Sequence, residues 1–69
     1  MNETTQLTEL QQLYLNMLDS LKEGIDDMEK FEEGNMSAGT RVRKNMQTIK
    51  ELAQKVRVGV QEQKNATAN

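Results

Sequence analysis

Apolar residues recur at helical spacing in two separate runs along the chain. In the first, Leu7, Leu10, Tyr14, Met17, Leu21, Met28 and Phe31 follow a three–four alternation, with Gly24 in the remaining slot. Leu13, Leu18 and Ile25 widen this stripe, while Asp19, Asp26 and Glu33 recur every seven residues on the opposite side. The pattern predicts an amphipathic helix over about 5–33 with one solvated face. In the second run, Val42, Met46, Ile49, Ala53, Val56 and Val60 alternate at four and three, with Leu52 beside them. That predicts a second helix over about 36–63.

The signals between and beyond the runs fit two helices and one turn. Thr4, Thr5 or Thr8 is placed to cap the first helix, and Thr8 with Gln11 fits a capping box. Gly34 is the natural stop, because a residue just past a helix end is favoured in a left-handed conformation. Asn35 or Ser37 then caps the second helix through a side-chain oxygen, which gives a turn at 34–37. Residues 1–4 are expected to fray, and 65–69, Asn-Ala-Thr-Ala-Asn, read as a disordered tail. A connection this short makes the helices antiparallel neighbours, meeting where residue numbers sum to about 70. Gly39, Ala53 and Gly59 permit close approach there.

The expected fold is therefore all-α, a single helical-hairpin domain over residues 1–69. Two broad apolar stripes cannot both be covered within one hairpin. A homodimer forming a four-helix bundle is expected, with a trimer or larger assembly as the alternative. The core and dimer contact are expected from Leu10, Tyr14, Met17, Leu21, Ile25, Met28 and Phe31 on the first helix. Val42, Met46, Ile49, Ala53, Val56 and Val60 complete it on the second. The methionines Met17, Met28 and Met46 read as packing rather than as a cofactor site.

Composition narrows the chemistry. The 69 residues contain no cysteine and no histidine, so there is no disulfide framework, no thiolate and no neutral-pH proton carrier. No nucleophile–base pair is present, and no enzyme activity, cofactor or small-molecule substrate is expected. One Tyr and one Phe offer little stacking for single-stranded bases. No apolar run approaches the roughly 18 residues of a membrane span. The N-terminus Met1-Asn2-Glu3-Thr4-Thr5 is polar and acidic, unlike a signal peptide, so a cytoplasmic protein is expected. The Asn-x-Ser/Thr triplets at Asn2, Asn35 and Asn65 are then chance matches.

Charge adds the main clue to a partner. Residues 1–38 hold nine acids and two bases, net −7, whereas 39–69 hold two acids and seven bases, net +5. Arg43, Lys50, Arg57 and Lys64 recur every seven residues and form one stripe, with Arg41, Lys44 and Lys55 around it. Such a stripe can follow phosphates and release counterions without reading sequence. The competing reading is a face that neutralises the acidic helix, with Arg41 near Glu29 and Lys44 near Asp26 and Asp27. The same register leaves Lys55 and Arg57 opposite Leu15 and Leu13 and Lys64 near Gln6, so the cations most open to a polyanion lie towards the C-terminus. Asp26, Glu29 and Glu33 share a face, but their order matches no calcium loop, and a solvated face is expected rather than a metal site.

The stretch Gly34-Asn35-Met36-Ser37-Ala38-Gly39-Thr40-Arg41-Val42-Arg43-Lys44, followed by Ile49-Lys50-Glu51-Leu52-Ala53-Gln54-Lys55-Val56-Arg57, resembles the bacterial histone-H1-like family first known from chlamydiae. The similarity covers roughly residues 7–62, and its sharp part is about ten residues around the Gly-Asn turn and the Arg-x-Arg that follows. The resemblance implies a nucleoid-associated protein that binds DNA without sequence specificity. Arg41, Arg43 and Lys44 match the family's basic cluster after the turn, and Lys50, Lys55 and Arg57 its later basic positions. Two features depart from the pattern. Met36 stands where a lysine commonly follows Gly-Asn, and the long Lys/Ala/Pro-rich tail of the chlamydial members is not found in these 69 residues, as in a short form. The alternative function is a structural module that self-associates or binds an acidic protein, with no role in nucleic-acid binding.

Overall fold

The computed structural model describes residues 7–67. They form two helices, α1 over Glu9–Glu32 and α2 over Met36–Thr67, and no strand. The helices lie antiparallel as a hairpin measuring 53 × 29 × 11 Å, a flat ribbon one helix thick.

Local chemistry explains where each helix begins and ends. Thr8 caps α1, taking the Gln11 amide on its hydroxyl at 3.1 Å while the Gln11 side chain accepts from the Thr8 amide at 3.0 Å. This is the capping box, and it satisfies two amides that a helix start leaves unpaired. The start lies later than the expected position near 5; residues 5 and 6, the frayed stretch 1–4 and the alternative caps Thr4 and Thr5 lie outside the described residues. At the other end Gly34 has φ 108°. Its amide reaches the Phe31 carbonyl and the Asn35 amide reaches the Lys30 carbonyl, both at 2.9 Å. Those two bonds are the Schellman arrangement, and they use up carbonyls that would otherwise be left without partners. Asn35 then caps α2, its Oδ1 accepting from the Ala38 amide at 3.1 Å.

The second helix runs past its expected end. Residues 65–67, read as disordered tail, are helical, and 68 and 69 lie outside the described residues. Side chains sustain this extra turn. Gln61 Nε2 donates to Asn65 Oδ1 at 3.1 Å, and the Thr67 hydroxyl donates to the Gln63 carbonyl at 2.9 Å.

The seam follows the expected register. Gly39 faces Phe31, Gly24 faces Asn45 and Gly59 faces Leu10, pairs whose numbers sum to 69 or 70. At Gly39 an added Cβ would stand 2.6 Å from the Phe31 ring, so the helices touch where a side chain is missing. On α1 the seam takes two rows, Leu10, Met17, Gly24, Phe31 and Leu13, Ser20, Asp27. On α2 it takes Val42, Ile49, Val56 and Ala38, Asn45, Leu52, Gly59. Polar Ser20, Asp27 and Asn45 therefore occupy seam positions that the apolar pattern did not mark.

This seam covers only part of each stripe. Leu10, Met17, Val42, Ile49, Ala53 and Val56 become half-buried as expected. Tyr14, Leu21, Ile25, Met28, Phe31, Met46 and Val60 remain exposed within the single hairpin. Ala38 is the one fully buried residue among those described. The reason is rotational: α1 turns its Leu13–Ser20–Asp27 row towards α2, which carries its most apolar rows out of the contact.

Candidate nucleic-acid interface

The ribbon has two unlike faces. In an antiparallel pair, corresponding rows beside the seam lie on the same side. One face thus collects Tyr14, Leu21 and Met28 from α1 and Gly39, Met46, Ala53 and Val60 from α2. A hollow bounded by Met28 and Phe31 on one helix and Gly39, Val42 and Arg43 on the other shows this sharing directly. One step further round, α1 presents Leu18 and Ile25, whereas α2 presents Arg43, Lys50, Arg57 and Lys64. The opposite face is polar, with Glu23 and Lys30 from α1 and Arg41, Thr48 and Lys55 from α2.

The cation row is the best-ordered chemical feature of the ribbon. All four members are exposed. At about 1.5 Å rise per residue they stand roughly 10 Å apart and span about 31 Å, close to one turn of B-DNA. Gln47, Gln54 and Gln61 alternate with them on the adjoining row. In the sequence these glutamines show the same seven-residue recurrence as the cations, but without charge. Arg57 Nη1 lies 3.5 Å from Gln54 Oε1, a long contact that leaves the guanidinium open.

The remaining expected cations sit differently. Arg41 is committed: its Nε donates to Asp27 Oδ1 at 2.9 Å. The partner is Asp27 rather than the expected Glu29, because Asp27 lies on the seam side of α1 and Glu29 on its outer edge. This is the one ion pair among the described residues, so Lys44 makes none with Asp26 or Asp27. Lys55 lines a shallow hollow at the open end with Glu9, Leu10, Leu13 and Glu62. The expected neighbour of Lys64, Gln6, lies outside the described residues. Neutralisation of α2 by α1 is thus confined to one pair near the turn.

No group of three or more acidic side chains among the described residues is arranged to hold a metal ion, and no helix is long and apolar enough to cross a membrane.

Residues 11–66 match the sequence profile of the family described as histone H1-like protein Hc1. The chain belongs to the Hc1 family. The match spans both helices and the turn between them, so it takes in the cation row as well as the acidic helix. Hc1 proteins are histone H1-like and package DNA; the family is not one of enzymes. No curated protein and no solved structure matches the chain.

Proposed function

We propose that this Hc1-family chain is a nucleoid-associated protein that binds duplex DNA weakly and without sequence specificity through α2, as a homodimer. The observation that carries the reading is the row Arg43, Lys50, Arg57 and Lys64, exposed, evenly spaced and without an ion pair to any other described residue. Arg41, Lys44 and Lys55 add long-range attraction from other sides of α2. Four phosphate contacts per hairpin give a slope of log K against log salt of about −3.6, or a loss of roughly 10²-fold between 50 and 200 mM.

Dimerisation follows from what the hairpin leaves uncovered. Residues such as Tyr14, Leu18, Leu21, Ile25 and Met28 are each about half exposed, and covering that half contributes about 1 kcal/mol per residue. Ten such residues per dimer give roughly 10 kcal/mol, against an association cost of about 4–15 kcal/mol. A concentration-dependent dimer is the expected outcome.

The rival reading, an interaction module whose basic helix is neutralised by its own acidic helix, draws on the single pair Arg41–Asp27. Fluorescence anisotropy with labelled duplexes of unrelated sequence separates the two. Binding at 50 mM salt that collapses at 200 mM, equally for every sequence, supports the nucleoid role. No binding at about 100 µM protein and low salt, near the weak end of ordinary non-specific affinity, removes it.

A further inference from the structure

The hairpin carries its charge crosswise. Helix α1 holds seven acids and two bases, net −5, and α2 holds two acids and seven bases, net +5. The exposed apolar face spans both helices. On the α1 side it holds Tyr14, Leu18, Leu21, Ile25 and Met28, each between 43% and 65% exposed. The one charged residue in those two α1 rows is Glu32, beside the turn. On the α2 side the row is thinner, Gly39 and Ala53 alternating with Met46 and Val60. The cations Arg43, Lys50, Arg57 and Lys64 run beside that row on the same side of the ribbon.

A second copy stacked on this face, with its helices aligned to the first, is related to it by a two-fold axis lying between the two ribbons. An axis across the helices sets α1 on α1 and α2 on α2. Acidic helix then meets acidic helix, and the two cation rows turn towards each other across about one helix-packing distance, roughly 8–10 Å. An axis along the helices sets α1 of each copy on α2 of the other. Every neighbouring pair of helices then joins opposite net charges, within each hairpin and across the interface. Side-chain size fits the same arrangement. An axis along the helices keeps each residue at its own level, so residues opposed across the interface keep the sum near 70 found across the seam. The nearest pairs in the facing rows are Tyr14 with the second copy's Ala53, Leu21 with the second copy's Met46 and Met28 with the second copy's Gly39. Tyr14 and Met28 thus meet small residues, which lets the two layers interdigitate. Leu18 and Ile25 lie beside the second copy's cation row, whose apolar stems cover them while the charged heads reach the edge.

We infer that two hairpins stack face to face about a two-fold axis parallel to the helices, α1 of each covering α2 of the other, so that a duplex meets the cation row of one hairpin and not both. The stacking rests on the homodimer reading above, and its consequence for DNA rests in addition on the DNA-binding reading. The two α2 helices occupy diagonal corners of the four-helix bundle, and their cation rows emerge at its two opposite edges. Four contacts per duplex keep the slope of log K against log salt at about −3.6, whereas eight acting together would give about −7.2.

The chain has no cysteine, so single introduced thiols report the contact cleanly. Chains carrying Tyr14→Cys and chains carrying Ala53→Cys are mixed and oxidised in air, and disulfide dimers are resolved by mass. The mixed dimer should form at least tenfold faster than either chain's own. A mixture of Leu21→Cys and Met46→Cys chains should behave alike, a check that leaves Tyr14 and Ala53 in place. Gln54→Cys, which faces outward from α2, should not cross-link. Faster self-linking of Leu21→Cys, or of Tyr14→Cys, than of the mixtures sets α1 on α1 and overturns the stacking while the homodimer reading stands. No cross-link in either mixture, with the unsubstituted chain sedimenting as a monomer, removes the homodimer reading and the stacking with it. The mixed disulfide dimer of Tyr14→Cys and Ala53→Cys chains is then titrated with salt on a labelled duplex. A slope near −3.6 is expected, and one near −7.2 overturns the placement of the rows at opposite edges. If the mixed dimers form but bind no DNA, the DNA-binding reading fails and the stacking stands.

Discussion

The Asn45 side-chain amide donates to the Ser20 carbonyl across the seam at 2.8 Å. Gly24 makes room for it, since a Cβ there would stand 2.6 Å from Asn45 Oδ1. The acceptor belongs to the α1 backbone, one turn before Gly24, so Asn45 reads a single axial position on its neighbour. A polar residue that bonds across a seam fixes register and association state at some expense of stability. Asn45→Leu keeps the shape and removes the bond, whose net worth is about 1 kcal/mol. The Ser20 carbonyl is not orphaned by this, because it remains within the helix ladder. The variant should melt at a higher temperature by circular dichroism and should sediment as more than one species. A lower melting temperature with one species would show that the bond contributes more to stability than an apolar seam residue does.

The turn gives a separate test of backbone conformation. Gly34 has φ 108°, and a Cβ placed there meets nothing within 4 Å. Any effect of Gly34→Ala is therefore conformational and not steric crowding. Holding an L-residue at left-handed φ costs about 1–2 kcal/mol. Chemical denaturation at a fixed protein concentration should show a loss of that size for Gly34→Ala, with helicity at low denaturant unchanged. An unaltered midpoint would mean that the turn readily adopts another conformation.

Phe31 and Gly39 form a tight pair. An added Cβ at Gly39 would lie 2.6 Å from Phe31 Cδ1 and 2.8 Å from Cε1. The ring is 40% exposed, so it can swing outward but loses its contact with α2 when it does. Against this, alanine gains about 1 kcal/mol over glycine within a helix. Gly39→Ala should thus be near neutral or destabilising with Phe31 present and stabilising by about 1 kcal/mol in a Phe31→Ala background. The coupling between the two sites, of the order of 1 kcal/mol, is measured by a double-mutant cycle. Additive effects would place the ring away from Gly39 in solution.

Much of this architecture was legible because it rests on local chemistry. Thr8 with Gln11, Gly34 in a left-handed turn and Asn35 as a cap each need only their neighbours in sequence, and the expected register near 70 followed from the length of the turn. The cation row was legible for the same reason, as a seven-residue recurrence on one helix. What the chain did not disclose was how far α1 rolls about its axis. Its Leu13–Ser20–Asp27 row is less apolar than its Leu7–Tyr14–Leu21–Met28 row, yet the former meets α2. Periodicity locates the middle of a broad stripe; it does not say which neighbour takes which edge. Asn45 and Asp27 decide that, through bonds to groups on the other helix. The end of α2 was missed because Asn-Ala-Thr has the composition of a tail, while bonds from Gln61 to Asn65 and from Thr67 to Gln63 hold the last turn.

Cations with different surroundings should respond differently to removal. Arg41 is tied to Asp27, and its side chain is 50% exposed. An exposed pair of this kind contributes about 0.2–1 kcal/mol to stability, and Arg41 is not available to a phosphate while it holds. Arg41→Ala should lower hairpin stability slightly and leave the slope of log K against log salt nearly unchanged. Lys50→Ala and Arg57→Ala remove members of the open row. Each should reduce the magnitude of that slope by about 0.9 and weaken binding to all duplexes equally, with little effect on melting. The double variant should lose about 1.8. The measurement is a salt titration of anisotropy for the wild type and the four variants on two duplexes of unrelated sequence. If Arg41→Ala reduces the slope as much as Lys50→Ala does, the pair with Asp27 opens on binding and the polar face joins the interface. If neither Lys50→Ala nor Arg57→Ala changes it, phosphates are met elsewhere, and Lys44, Lys55 and Lys64 become the residues to substitute.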